Sequence, residues 1–460
     1  MRSVSPIRLA TAIALVVGVV GLFGSASAAA GHLGAPAYNT RPVRLAGSLP
    51  GLPGGPSVIQ GTNVNITNKS GAQSETSVAV DPTNGLHLLA ASNDLTATSI
   101  FYESTDGGRT WTNAGLNLGS AFCYDTWLDF NAAGDAFASY ECGDERIAYR
   151  KAGTSTWVKT TLTNAGGFPD RDMVTVDTTA GSPFDGSVYI GYDDNGSGNK
   201  AYILYSRDGF ASWTRSPKIN DSASPTIGVN ASVGPDGTLY ATWEDYSNRK
   251  IMTDRSTDGG ATWGTDHVVT NYRINTTSFF ISIPPQPDRG VLPMPMTAVA
   301  PAGTSCAGRL YVTYFDKSTT GSNTNIYERY SDDGGTTWSS EIQVNDGSTT
   351  AYHFHPAISV TPNGTVGISF YDTRNDATNK KTDQYLSFST NCGVSWSANQ
   401  KVTTAMSDES GAGDPNDYGD YQGNSGAATP GGINFVQAVW TDSRIPGSQQ
   451  EDMWTASAKP

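Results

Sequence analysis

The sequence predicts an all-β protein built as a ring of four-stranded sheets, and three observations carry that expectation. The chain has 51 glycines in 460 residues, 10% aromatic content and no long amphipathic helix pattern, which is the composition of many short strands joined by turns. One turn sequence recurs five times: "STDGGRTW" (104–111), "SRDGFASW" (206–213), "STDGGATW" (256–263), "SDDGGTTW" (331–338) and "STNCGVSW" (389–396). The last copy of the longer repeat lacks its final strand, while a strand-like segment is left over before the first copy.

Each repeat has the same order. A short apolar strand such as "SVAVDP" (77–82) is followed by a second that ends in an aromatic and an acid, as in "YATWED" (240–245). A third strand leads into the turn, and the Trp opens a fourth, such as "EIQVND" (341–346). The second-strand ends count the units: "SND" (92–94), "YEC" (140–142), "YDD" (192–194), "WED" (243–245), "YFD" (314–316), "FYD" (370–372) and "WTD" (440–442). Seven units follow, or six if unit two, with its decayed turn "KAGTSTW" (151–157), is not one of them. Unit seven stops after its third strand, "MWTASAKP", and "NVNITN" (63–68) resembles the missing fourth. The N-terminal strand then closes the ring, giving a seven-bladed β-propeller with short, protected edges.

The recurring turn has a structural reading. Its glycines permit positive φ, its Asp accepts hydrogen bonds from turn N–H groups, and its Trp fills the gap between sheets. The residues are Asp106 and Trp111, Asp208 and Trp213, Asp258 and Trp263, Asp333 and Trp338, and Trp396. A single site does not need five copies, so the motif marks a building unit.

This S-x-D-x-G-x-[ST]-W pattern resembles the Asp-box of sialidases and related propellers, over about 63–460. The resemblance implies a glycan-directed hydrolase whose site lies at the axial opening, on the face away from the Asp-boxes. It also implies an Arg clamp, a Tyr nucleophile paired with a carboxylate, and an Asp acid/base. Starts of first strands ring that opening, and acids, aromatics, His and Arg gather there in place of small turn formers. Asp172 or Asp170 is the expected acid/base, and Tyr421 or Tyr124 with Glu75 the nucleophile pair. Arg171, Arg289, Arg374 and Arg444 are the available substrate arginines, with His353, His355, Asp125 and Asp420 as further substrate contacts. Two long links, 272–296 and 405–421, belong to the same end. Two other functions remain open: polysaccharide β-elimination with His353 or His355 as base and a Tyr as acid, and a non-catalytic propeller that binds carbohydrate or protein.

Strand polarity also pairs the four cysteines. Cys123 starts the first strand of unit two and Cys142 ends its second; Cys306 and Cys392 both lie at the Asp-box end of neighbouring units. Residues 1–28 read as a secretory signal, with Arg2 and Arg8 before an apolar run and a small-residue cleavage site at Ala26-Ser27-Ala28; 29–60 is an extension and 61–460 the propeller. Two disulfides suit an exported chain. The net charge of −14 argues against nucleic acid and anionic membranes as partners. A glycan ligand and a monomer are expected. No cofactor is required, and no metal-ligand spacing is present. The acidic loops 194–200 and 414–420 are the places where a structural Ca²⁺ would sit.

Overall fold

The computed structural model describes residues 63–119, 122–275, 280–347, 350–409, 415–445 and 449–460; the segments read as signal and extension, 1–60, lie outside these. Apart from one 3₁₀ turn at Asn195–Ser197, the described regular structure is strand. Unit one comprises Gly71–Val80, Leu88–Asp94, Ile100–Ser104 and Thr112–Asn113 in antiparallel order. Units two to six repeat this plan, with first strands Tyr124–Phe130, Pro169–Val176, Ile227–Val233, Met296–Val299 and His353–Val360. Unit two forms its four strands despite the degenerate turn. The first strands pack one against the next, and that of unit seven, Asn424–Ala428, packs against that of unit one, so the series returns on itself as a propeller.

Closure is made by the chain's early residues. Val64–Asn65 pairs antiparallel with Gln449–Ala458, placing Val64 opposite Thr455 and Asn65 opposite Trp454. The carboxylate of Asp452 gathers this segment, accepting from Asn65 Nδ2 (2.8 Å), Thr67 Oγ1 (2.7 Å) and Lys69 N (3.0 Å).

Large rings fill the gaps between sheets. Tyr140, Tyr192, Trp243, Tyr314, Phe370 and Trp440 occupy the same second-strand position in six units, and each is 1% exposed or less. Two residues on, the recurrent Asp caps the loop. Asp94 accepts from Thr96 N (2.9 Å), Asp372 from Arg374 N (2.7 Å) and Asp442 from Arg444 N (2.9 Å). Four of these acids also pair with an arginine laid over a third-strand ring: Asp194 with Arg215 over Tyr202, Asp316 with Arg273 over Tyr327, Asp372 with Arg374 over Tyr385, and Asp442 with Arg444 over Trp454.

The recurring turns are self-contained. In unit five, Asp333 accepts from Ser331 Oγ (2.8 Å), Thr337 N (2.8 Å) and Thr337 Oγ1 (2.7 Å). The Thr337 hydroxyl and N–H hold the Asp333 carboxyl down at about 2. Unit six has Asn391 instead, and its side-chain oxygen accepts the equivalent bonds from Ser389 Oγ (2.9 Å) and Ser395 N (3.0 Å), so the geometry does not require the charge. Trp111 is buried, whereas Trp213, Trp263, Trp338 and Trp396 are half-buried against the sheet cores. Disulfides join Cys123 to Cys142 and Cys306 to Cys392, the pairs that strand polarity selects.

Burial assigns different weights to these rings. Truncating Trp243, which is 1% exposed, removes a full inter-sheet ring, so Trp243→Ala should cost about 3–5 kcal/mol in denaturant unfolding. Trp338→Ala should cost clearly less, because part of that ring already faces water.

Candidate active site at the axial opening

One backbone irregularity recurs at the opening. The pairing of first and second strands slips between Ser74 and Ser77, Tyr124 and Trp127, Asp170 and Met173, Ile227 and Asn230, and Phe354 and Ala357. Inside each slip one residue takes a left-handed φ: Glu75 (56°), Asp125 (53°), Arg171 (57°), Gly228 (69°) and His355 (44°). Only glycine adopts this readily; the other four hold a strained backbone of the kind that concentrates at functional sites. A bulge re-aims its side chain, so these five units each contribute one such residue, while units five and seven pair without a slip. Gly228 makes room for its neighbour, since a Cβ there would lie 2.6 Å from Arg171 Nη1.

These residues form one network with the two long links. The link 272–296 forms a hairpin, Ile281–Ile283 with Gln286–Val291. Its Arg289 holds Asp420 through two bonds (2.9 and 2.6 Å) and lies 3.9 Å from Glu75. Asp417 Oδ2 accepts from the backbone N–H of both Asp288 and Arg289 (2.9 Å each). Glu75 accepts from Asn93 and from Asp420 N (3.0 Å). Tyr421 donates to Asp125 Oδ1 at 3.2 Å, and the Arg171 guanidinium lies 4.7 Å above its ring. Asp170 accepts from Asn195 Nδ2 at 2.8 Å. Asp125, Asp170, Arg289 and Asp420 are half-buried, while Arg171, Asp172, His355 and Tyr421 are buried. Under the hairpin a cavity of about 10 Å³ touches Arg171, His355, Asp420 and Tyr421, room for no more than about one water.

Burial and mutual charge set the protonation states. Burial, reinforced by Asp125, pushes the Asp170 carboxyl up to about 6. Burial and then Asp420 raise Asp125; burial and then Asp125 raise Glu75. Burial also works to raise Asp420, but the charge and hydrogen bonds of Arg289 outweigh it and hold that carboxyl low. Burial raises the Tyr421 phenol, helped by Asp125 and Glu75, so it stays a hydrogen-bond donor. Burial drives His355 down to about 3, against the pull of Asp420, so this imidazole is neutral; neither ring nitrogen has a protein partner.

The opening therefore brings together Glu75, Asp125, Asp170, Arg171, Arg289, His355, Asp420 and Tyr421, with Asp172 buried behind them. Four expected residues lie elsewhere. Arg374 and Arg444 are held in the loop-capping pairs with Asp372 and Asp442. His353 is fully buried, with Nδ1 2.8 Å from Thr324 O and Nε2 3.2 Å from Asp372. Tyr124 is raised by burial and by Asp94, and it is Asp125, not Glu75, that faces the Tyr421 hydroxyl. The acidic loops engage protein cations: Asp194 pairs with Arg215 and Asp420 with Arg289. Among the described residues no group of three or more His, Cys, Asp or Glu is arranged to hold a metal ion.

Sequence reasoning missed the inner acids. In each second-strand end the middle residue points opposite to the capping Asp, by strand alternation. Asn93 thus bonds Glu75, Asp193 accepts from Gly228 N (3.3 Å) and Glu244 from Tyr272 Oη (2.7 Å). Glu141 and Asp193 are raised well above the usual carboxyl range by burial and then by Asp125 and Asp170 respectively, and burial pushes Glu244 up to about 8. The tripeptides "YEC", "YDD" and "WED" display these acids, and their period of two was the available signal.

No model of a protein family matches the chain, and no curated protein matches it. Solved structures do. An ulvan lyase, a polysaccharide lyase bound to a glucuronate–sulfated rhamnose saccharide, aligns with TM-score 0.50 at 9% identity over 85% of this chain and 95% of its own. An α-L-arabinanase of Penicillium chrysogenum aligns with TM-score 0.48 at 14% identity over 88% and 99%. A microbial sialidase aligns with TM-score 0.43 at 17% identity over 65% and 63%. At these identities the likeness concerns the propeller fold.

The raised carboxyls make stability depend on pH. Unfolded Asp and Glu release their protons near pH about 4. The folded chain keeps them on Asp170 to about 6, on Asp129 to about 7 and on Glu244 to about 8, through burial in each case. Their contribution is fully present below the unfolded values and is lost as pH rises through the folded ones. The urea midpoint should thus be higher at pH 5 than at pH 8, and Asp129→Asn should flatten that slope.

Proposed function

We propose that this chain is a secreted, glycan-cleaving hydrolase, a seven-bladed propeller acting at its axial opening. The reading is carried by the Tyr421–Asp125 hydrogen bond at 3.2 Å beside the half-buried Asp170, whose carboxyl is raised to about 6. A phenol is a weak nucleophile until a neighbouring base takes its proton. The raised Asp125 is a stronger base than an ordinary carboxylate, and Arg171 above the ring stabilises the phenolate. In the proposed cycle Asp125 accepts the Tyr421 proton while the phenolic oxygen bonds to the anomeric carbon. The glycosidic C–O bond breaks, and Asp170 gives its proton to the leaving oxygen. Water then attacks the anomeric carbon as Asp170 takes one of its protons; the bond to the Tyr421 oxygen breaks, and Asp125 returns its proton to the phenol. Arg289, released from Asp420, supplies a guanidinium for an acidic sugar. Two disulfides are consistent with export, and among the described residues no helix is long and apolar enough to cross a membrane.

A second reading rests on His355. This neutral imidazole has both ring nitrogens unpartnered, close enough to Arg171 to feel its charge. It suits a base that removes a proton beside a uronate carboxylate, with Tyr421 as acid, in β-elimination.

Incubating the protein with neutral, sialylated and uronate-containing glycans separates these readings. Hydrolysis yields new reducing ends alone; elimination adds the ultraviolet absorbance of a conjugated double bond. For the hydrolase, Asp170→Asn should lower kcat by about 10²–10⁴. In the parent, kcat/KM should fall as pH rises through about 6, because the acid must be protonated. A fully active Asp170→Asn would overturn the role given to Asp170, and no cleavage by folded protein would leave a binding propeller.

A further inference from the structure

Three successive seams between units are stapled at the turn face by an arginine. Arg207 Nη1 donates to Asp258 O across units three and four (2.9 Å), Arg255 Nη1 to Asp333 O and Gly334 O across four and five (3.0 and 3.1 Å), and Arg309 Nη1 to Cys392 O across five and six (2.7 Å). Two of these seams are also filled. Unit three inserts Phe184 between units three and four: Cβ atoms on Gly237 and Gly259 would meet its ring at 3.2 and 2.8 Å, and Arg207 lies 5.6 Å from its centre. The Cys306–Cys392 disulfide crosses the seam between five and six.

The middle seam has neither device. Its glycines equivalent to Gly237 and Gly259 are Gly308 and Gly334, each at the matching place before the second strand and inside the recurring turn. The position above Gly308 is open, with Pro235 the nearest group to a Cβ there at 3.8 Å. The short turn of unit four, "GPDGT" (234–238), carries no aromatic ring to fill it. The result is a cleft of about 530 Å³ lined by Pro235, Asp236, Arg255, Thr257, Arg309 and Asp332. That lies within the range of small-molecule sites, about 300–1,000 Å³.

We infer that this seam is a second, non-catalytic glycan-binding site, specific for neutral sugar residues. Where a flat phenyl ring fills the cradle one seam earlier, here the Arg255 guanidinium packs over Gly334, 1.9 Å from where a Cβ would lie, and the space above Gly308 is left open. Its walls are polar, which favours a sugar ring over an apolar side chain of a protein partner. Arg255 and Arg309 are balanced by Asp236 and Asp332, so no net charge selects an ionic ligand, while carboxylates, guanidiniums and Thr257 match vicinal hydroxyls. The cleft opens on the face opposite the axial site and does not depend on catalysis there. Holding a polymer at two places would raise its local concentration.

The test is calorimetric titration of the full chain with neutral tetrasaccharides of glucose, xylose, arabinose and galactose. Ala307→Trp and Thr257→Trp each project an indole into the cleft from an exposed position with ordinary backbone geometry. Either variant, with unchanged Tm, should weaken binding of the preferred tetrasaccharide about tenfold or more, while Asp170→Asn should bind it as the parent does. Undiminished binding in both Trp variants, loss only in Asp170→Asn, binding of uronate oligomers alone, of aromatic peptides instead, or of no tetrasaccharide, would each overturn the assignment. Cleavage of short soluble substrates reads the axial site separately, so the two proposals can fail independently.

Discussion

Everything at the axis depends on a two-residue strand pairing. Val64–Asn65 completes a sheet whose other strands come from the opposite end of the sequence, and Asp452 fastens it with three hydrogen bonds. Without that pairing the outer edge of Gln449–Ala458 is open beyond its short parallel contact with Gly71 and Ala72. With it, the first strands of the units face a common centre, and whatever chemistry they carry is forced together. Sites hundreds of residues apart in sequence become neighbours, as Tyr421 and Asp125 do.

The centre so created is electrostatically unusual. Acids at the bulges, at their neighbours and at the inner second-strand positions share a volume with two arginines, Arg171 and Arg289. Most of those carboxyls are shifted upward; Asp420, bound twice by Arg289, is held low. Oppositely shifted acids in one site are how a fold separates acid from base roles. The left-handed φ at Glu75, Asp125, Arg171 and His355 is a cost borne at one level of the ring, while Gly228 relieves it where Arg171 needs space.

Much of this architecture was legible. Repetition of the "DGG" turn and the Asp-terminated second strands gave the units, and the leftover "NVNITN" gave closure. Strand polarity alone chose both disulfides. For the candidate site, polarity brought Asp170, Arg171, Arg289, Asp420 and Tyr421 to one end, where the structure joins them in one network. It failed for Arg374 and Arg444, because an Asp-x-Arg sequence reads the same whether the guanidinium faces a substrate or closes over Tyr385 or Trp454. The bulges could not be anticipated either. A register slip depends on neighbouring strands, and residues such as Glu75 or His355 do not advertise a left-handed backbone. The inner acids Glu141, Asp193 and Glu244 are visible in the sequence, but a tripeptide such as "YDD" does not show which of its adjacent residues faces the axis until the strand is placed in its sheet.

The most direct test of the axial account is to trap its intermediate. The chain would be incubated with fluorinated glycosyl fluorides that form but do not readily release a glycosyl–enzyme, then digested and mapped by mass spectrometry. The account predicts one added sugar, on the peptide that contains Tyr421, and none in Tyr421→Phe. Turnover of natural glycans with an adduct on Asp170, Asp125 or any other residue, or with no adduct at all, would contradict it.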